Sequence, residues 1–223
     1  MLARAACGHM IAIQDVKPAP LAPSFACSWP EKAQKRAVVL CEGASLWSGW
    51  KHPYRGCPVV AVNRAIAVAR DFPVDVWATM DHPSNLWEWG QEFLHPETKL
   101  FTGDDKLLVW QRMLGPEILQ RIYSWPCTPM DELQDEDGIS PLVPTLFHVL
   151  PWLLSVGVKD VMLLGADFSG TSSPLLEDFS VHSDEGHALR WNVERIMLSL
   201  TMKQYRARGA RITRWPHSKT RRL

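Results

Sequence analysis

The hydrophobic positions of this chain fall into short apolar runs separated by longer mixed segments. Runs of four to eight apolar residues that are rich in Val, Ile and Leu, with no regular polar alternation, are typical of strands buried on both faces of a parallel sheet. Four predominantly apolar runs predict strands, at residues 36–41, 59–63, 74–80 and 159–165, and three short mixed segments, at 99–101, 121–124 and 210–214, are further strand candidates.

Between the runs, three segments have helical character. One covers residues 64–70. The second is expected to begin at Pro141, with Ser140 as its N-cap, and to end at Gly157, although Pro151 should kink it. The third, at residues 187–208, places apolar side chains at near-helical spacing and ends before Gly209.

The alternation of strands with helices predicts the α/β class, with a mostly parallel sheet and helices on both faces. The length of 223 residues suits a single Rossmann-like domain over residues 35–223. Residues 1–34 are rich in Ala and Pro and are expected to form an irregular N-terminal arm.

Composition narrows the functional classes. Lys and Arg together balance Asp and Glu at 24 each, so no net charge favours nucleic acid or membrane surfaces. Five scattered cysteines without a C-x-x-C pair argue against a disulfide framework and a zinc site, and they fit a reducing cytoplasm. No apolar run approaches the roughly 20 residues of a membrane span. The basic C-terminal region, from Lys203 to Arg222, is interpreted either as a solvated helix face with a tail or as a patch for a phosphate-bearing acceptor.

Polar residues or glycines follow four of the predicted strands. Because ligands of parallel α/β sheets gather outside the carboxyl ends of the strands, these positions are the candidate site. A glycine after the first strand lets backbone N–H groups approach a phosphate closely. The dinucleotide, P-loop and nucleophile-elbow motifs are absent. The candidate nucleotide- or donor-binding residues are Gly43, Ala44, Ser45, Asn63, Arg64, Asp81, Ser140, Gly165 and Asp167.

This set resembles the bacterial sialyltransferases, which have a G-x-G-P-S-L loop, an Asn after the second strand, a Ser-Gly helix start and a G-I-D-F strand end. The corresponding segments here are residues 43–46, 62–64, 140–141 and 164–168. MptE-like pyrophosphokinases share the loop and the G-x-D ending. Two departures are Glu42, at the first glycine of the loop, and Ala44, at the proline.

The resemblance also implies the catalytic residue. His182 and Ser183 correspond to the His-Ser pair before the last long helix of the sialyltransferases, which makes His182 the base that deprotonates an acceptor hydroxyl. His187 is the second candidate base. His217 and Ser218 correspond to the family's final Pro-Asn-Ser segment and are expected near the acceptor.

The resemblance therefore implies an inverting, metal-independent glycosyltransferase that uses a nucleotide sugar as its donor substrate, without a further cofactor. The expected acceptor is a glycan hydroxyl, the basic C-terminal region leaves a modified DNA base open as the acceptor, and the expected location is the cytoplasm of a bacterium or of a phage-infected host. An MptE-like pyrophosphokinase that needs Mg²⁺ and a catalytically silent nucleotide-binding module stay open as alternatives. The sequence also leaves a homo-oligomer open.

Overall fold

The computed structural model describes residues 2–4, 10–12, 35–43, 45–48, 56–70, 73–82, 90, 92, 94–115, 121–125, 144–168 and 185–215. Near the N-terminus, β1 (Leu2–Arg4) and β2 (Met10–Ala12) pair as an antiparallel ribbon separate from the main sheet. The arm, expected to be irregular, therefore includes one short hairpin.

The main sheet of the described residues has seven strands, and every neighbouring pair is parallel. This confirms the predicted α/β class. The strands are β3 (Arg36–Leu40), β4 (Val59–Val62), β5 (Val76–Ala78), β6 (Lys99–Gly103), β7 (Ile122–Trp125), β8 (Asp160–Leu164) and β9 (Arg211–Trp215).

The spatial order of the strands is β7-β6-β5-β4-β3-β8-β9. The first strand of the main sheet along the chain is β3. The next four strands, β4 to β7, are added on one side of β3, and the chain then crosses over to add β8 and β9 on the other side. The order reverses between β3 and β8, which pair over their whole length from Arg36 opposite Asp160 to Leu40 opposite Leu164. In open parallel sheets such a reversal leaves a crevice at the carboxyl edge, where ligands bind.

Alternate residues of the strands fill two cores, one on each face of the sheet. Val39 and Leu163 pack with Leu153 and Tyr205 on one face. Neighbouring residues such as Leu40 pack with Ile66 and Trp110 on the other. Helical segments therefore cover both faces, which explains why the strands lack polar alternation.

The helical segments are α1 (Ser45–Ser48), a 3-10 helix (Asn63–Arg70), a second 3-10 helix (Asp104–Lys106), α2 (Leu107–Leu114), α3 (Leu146–Ser155) and α4 (Glu185–Ala207). The predicted start of α3 at Pro141 was wrong. Pro144 is not helical, and its carbonyl accepts the N–H of Phe147 at 2.9 Å, which opens the helix at Leu146. Pro151 lies inside α3, as the sequence required. Among the described residues, none of the helices combines the length and apolar character needed to cross a bilayer.

Candidate functional site

The polar strand ends picked out in the sequence belong to β3, β4, β5 and β8. These four strands are consecutive in the sheet, in the order β5-β4-β3-β8. Their carboxyl ends therefore form one continuous edge that includes the reversal point between β3 and β8. Hydrogen bonds link each of these ends to the next.

The end of β3 is bonded directly to the end of β8. The N–H of Gly43 donates to the carbonyl of Gly165 at 2.8 Å. The N–H of Ser45 donates to Oδ2 of Asp167 at 2.6 Å, and the Ser45 hydroxyl donates to the other oxygen of the same carboxylate. Asp167 thus accepts two hydrogen bonds at the first residue of α1, the position where an N-cap carboxylate stabilises a helix.

This junction explains why both loops need glycine. A Cβ on Gly43 would lie 2.5 Å from the Gly165 carbonyl oxygen and 2.7 Å from the Asp167 carboxylate. A Cβ on Gly165, whose φ is +72°, would lie 2.2 Å from the carbonyl oxygen of Cys41. The two glycines therefore permit the close approach of two protein segments.

The sequence suggests that the loop at Gly43 approaches a ligand phosphate. In the structure, the backbone donors of Gly43 and Ser45 bind Gly165 and Asp167 instead. The negative charge that favours this helix terminus is supplied by the protein itself, through Asp167.

Glu42 links the end of β3 to the end of β4. Its Oε1 accepts the N–H of Arg64 at 3.0 Å, at the start of the 3-10 helix Asn63–Arg70. The acidic side chain of Glu42 therefore reaches sideways along the sheet edge, where it binds backbone.

Asn63 links β4 to β5 through Thr145. The Thr145 hydroxyl accepts the N–H of Met80 at 3.2 Å and donates to Oδ1 of Asn63 at 3.1 Å. The Asn63 carbonyl accepts the indole N–H of Trp77 at 2.9 Å. These bonds use both oxygens of Asn63, and within the described part of the chain no hydrogen bond engages its side-chain nitrogen. The half-buried side-chain amide of Asn63 is thus held in place through its oxygen, while the two N–H groups of its side chain can donate hydrogen bonds to a ligand.

Two residues other than glycine have positive φ in the described part of the chain, and both lie at this edge. Asn63, at φ +48°, directly follows β4, and Phe168, at φ +50°, follows the end of β8. Such backbone conformations cost about 1–3 kcal/mol and cluster at binding and catalytic sites. For Phe168 the conformation is supported from α4, because Arg195 donates to its carbonyl at 2.8 Å.

The charge at the reversal point is predominantly negative. Burial raises the pKa of the Cys41 thiol far above its usual value, and the nearby carboxylates of Glu42, Asp167 and Glu194 raise it further, against a smaller opposing effect of Arg214. The thiol therefore stays protonated at neutral pH and is not an activated nucleophile.

No family model, curated protein or solved structure matches this chain.

Several predicted site residues lie outside the described residues, namely Ala44, Ser140, His182, His217 and Ser218. His187 lies on the first turn of α4, whose side chains are described only from Trp191 onward. Asp81 is exposed at the end of β5, where its N–H donates to the Thr79 hydroxyl at 3.2 Å. No group of three or more His, Cys, Asp or Glu side chains in the described part of the chain has metal-binding geometry.

The basic C-terminal region is divided by the fold. Arg211 begins β9 at the amino edge of the sheet and forms a bidentate ion pair with Asp160, at 2.9 and 2.7 Å. Arg214 lies at the carboxyl edge, with its guanidinium 5.7 Å from the centre of the Phe168 ring. These two arginines therefore do not belong to one acceptor-binding patch.

Two residues of the edge were missed in the sequence, namely Thr145 and Arg195, and Arg214 was noted there only as part of the basic C-terminal region. Thr145 directly follows Pro144 and is the N-cap residue of α3, so a threonine in a cap position was the available signal in the sequence, and the structure buries it to 3% exposure. Neither Arg195, on a helix face, nor Arg214, in a basic region, could be assigned to the sheet edge from the sequence, because arginines in such positions are usually solvated.

Proposed function

We propose that this protein binds a nucleotide-activated sugar at the carboxyl edge of β5, β4, β3 and β8 and transfers the sugar to an acceptor hydroxyl, as an inverting glycosyltransferase that needs no metal. The observation that carries the proposal is the amide of Asn63. It stands beside the reversal point of the sheet in a strained conformation, and Thr145 orients its oxygen while its nitrogen keeps its donors.

Three further observations support a nucleotide-sugar ligand. A parallel sheet with a strand-order reversal places its ligand crevice at this edge. Three of the motifs that are similar to those of bacterial sialyltransferases, at Gly43, Asn63 and Gly165, follow adjacent strands, and Ser45 is bonded to Asp167, 122 residues further along the chain. Carboxylates such as Glu42 accept hydrogen bonds from sugar and ribose hydroxyl groups as readily as from backbone N–H groups.

The proposed roles differ between residues. Asn63 donates to the nucleotide or the sugar, while Gly43, Ser45, Gly165 and Asp167 shape the junction against which the ligand lies. His182 removes the acceptor proton as a general base, a task for which an imidazole with a pKa near 6.5 is suited at neutral pH.

A thermal-shift screen of the full chain tests ligand binding. The screen covers the common nucleosides, nucleotides and nucleotide sugars, each in EDTA and in Mg²⁺. A nucleotide sugar at 100 times its dissociation constant should stabilise the protein by about 2.7 kcal/mol in EDTA. Stabilisation by ATP only with Mg²⁺ would support the pyrophosphokinase alternative, and stabilisation by no compound would contradict nucleotide binding.

Replacement of the two histidines tests the chemistry. His182→Ala should lower kcat by roughly 10²- to 10⁴-fold with little change in donor affinity, because the base contacts the acceptor. His187→Ala is the matched control and should have the milder effect. If His187→Ala is inactive while His182→Ala is active, the base has been assigned to the wrong histidine.

A further inference from the structure

Two arginines of the carboxyl edge contact the same strained residue, on the side of the reversal point away from Asn63. Arg195 of α4 donates from Nη2 to the Phe168 carbonyl at 2.8 Å and from Nη1 to Asn192 at 2.7 Å. Arg214 of β9 places its guanidinium over the ring of Phe168, 5.7 Å from its centre. Two guanidinium groups thus contact Phe168, one at its carbonyl and one at its ring.

The position of Arg214 follows from the register of the sheet. Arg214 is opposite Leu163 in β8, near the carboxyl end of both strands. It shares a face with Ile212, which belongs to the core beneath α3 and α4. Arg214 therefore emerges beside α4 at the edge where the ligand crevice is expected.

Arg214 has no carboxylate partner within ion-pair distance in the described part of the chain, although it is partly buried. Arg211, three residues earlier, differs in that both oxygens of the Asp160 carboxylate bind its guanidinium. A partly desolvated guanidinium without a partner is costly, and a bound anion would offset that cost. Guanidinium groups match the geometry of phosphate oxygens in particular.

The other part of the edge is unsuited to phosphate. Asp167 already occupies the donors of Ser45, and Glu42 accepts the N–H of Arg64. The N–H groups at the starts of these two helical segments are therefore already bonded to carboxylates, whereas Arg214 has no carboxylate within ion-pair distance among the described residues.

We infer that Arg195 and Arg214 bind the phosphate groups of the ligand, and that the hydroxyl-rich part lies toward Glu42 and Asn63. This inference rests on the proposed function for the nucleotide, while the anion site itself is testable with inorganic pyrophosphate. It reverses the expectation that the glycine loop at Gly43 holds the phosphate.

The test is calorimetric titration of the full chain at low ionic strength with inorganic pyrophosphate and with each of the four common nucleoside diphosphates. Arg214→Gln and Arg195→Gln should each weaken pyrophosphate binding by about 10- to 100-fold, as expected for loss of a charge-assisted bond. Arg206→Gln is the matched control, because it removes one positive charge from an exposed position of α4 and should change affinity less than about 2-fold. Arg195 is itself exposed, so its variant keeps the test valid if Arg214→Gln does not fold.

The outcomes separate this inference from the proposed function. Pyrophosphate binding that depends on Arg214, without binding of any nucleotide, would support the anion site and contradict the function. Nucleotide binding that is equally strong in the Arg195 and Arg214 variants would leave the function intact and overturn the anion site. Equal weakening by Arg206→Gln, or no binding of any probe to the unmodified protein, would also overturn it.

Discussion

Single residues at the sheet edge combine an unusual backbone conformation with a specific bonding role. Asn63 has positive φ, accepts hydrogen bonds at its carbonyl and its side-chain oxygen, and joins β4 to Thr145. Asn is among the residues that tolerate the left-handed region, because its short polar side chain bonds locally. Both alanine and glycine at this position remove the side-chain amide, but only glycine adopts the positive φ without strain. Comparison of the two substitutions therefore separates the effect of the backbone conformation from the effect of the side chain.

We expect Asn63→Ala to lower the free energy of unfolding by about 1–3 kcal/mol, because it keeps the strained φ and loses the bond from Thr145. Asn63→Gly should stay within about 1 kcal/mol of the unmodified protein, because glycine adopts this φ freely. Both variants should lose at least about tenfold in nucleotide affinity, a difference of about 1.4 kcal/mol. Urea denaturation and calorimetric titration measure the two effects. Unchanged nucleotide affinity in Asn63→Gly would remove the amide from the site.

At the scale of elements, the close approach of β3 and β8 depends on glycine for both steric and conformational reasons. Gly165 has positive φ and is crowded by the carbonyl of Cys41. Gly209, between α4 and β9, has a similar φ of +67°, but a Cβ at this position would have no atom within 4 Å outside its chain neighbours. A Cβ at Gly209 would meet backbone strain alone, whereas a Cβ at Gly165 would meet both strain and a steric clash. Comparison of substitutions at the two glycines therefore separates the two effects.

Gly209→Ala should cost about 1 kcal/mol in unfolding free energy, which is the penalty for a Cβ in the left-handed region. Gly165→Ala carries the same penalty and also a 2.2 Å clash with backbone, so its cost should reach about 3 kcal/mol or more. Denaturant titration of both variants measures the difference. Equal costs would show that the ends of β3 and β8 can separate without loss of stability.

The contact between α3 and α4 should depend on pH through Tyr205. Its hydroxyl donates to the Leu150 carbonyl in the core, and burial raises the pKa of this tyrosine well above its usual value near 10. The folded state therefore keeps the proton that the unfolded chain releases, so stability present below about pH 10 should be lost as the pH rises above it. Tyr205→Phe should be less stable at about pH 8, by about 1 kcal/mol, and should lose less stability between about pH 8 and 11. Parallel pH profiles for the two proteins would contradict the burial of this hydroxyl.

For the whole molecule, the arrangement of charge at the carboxyl edge determines what a ligand must supply. If Arg195 and Arg214 neutralise the phosphate, a divalent cation is not required for that purpose. We therefore expect the activity on a nucleotide-sugar donor to survive excess EDTA with less than about a twofold change, since guanidinium groups provide the charge-assisted bonds. Activity that is lost on chelation and restored by Mg²⁺ or Mn²⁺ would contradict the metal-independent mechanism.

The local sequence determined most of the elements. All seven predicted strands of the main sheet are present within a few residues of their predicted bounds. The apolar runs that became β3, β4 and β8 have no stable alternative to burial on both faces. The polar residues at the strand ends were also visible, since parallel strands place their carboxyl ends at one edge. The start of α3 was missed because Ser140 and Pro141 imitate a helix start, whereas Pro144 delays the helix to Leu146.

Only the tertiary structure decided which strands are neighbours and which groups already have partners. Nothing local to Gly43 or Ser45 reveals that Asp167, 122 residues beyond Ser45, occupies the donors of Ser45. The order β5-β4-β3-β8 likewise depends on the crossover that carries β8 to the far side of β3. Pairings between such distant residues are selected by the packing of the whole chain, and the same packing brings both Arg195 and Arg214 into contact with Phe168. Residue types along the sequence thus determined the strands and the chemistry at their ends, while long-range contacts decided which of those groups are bonded to one another.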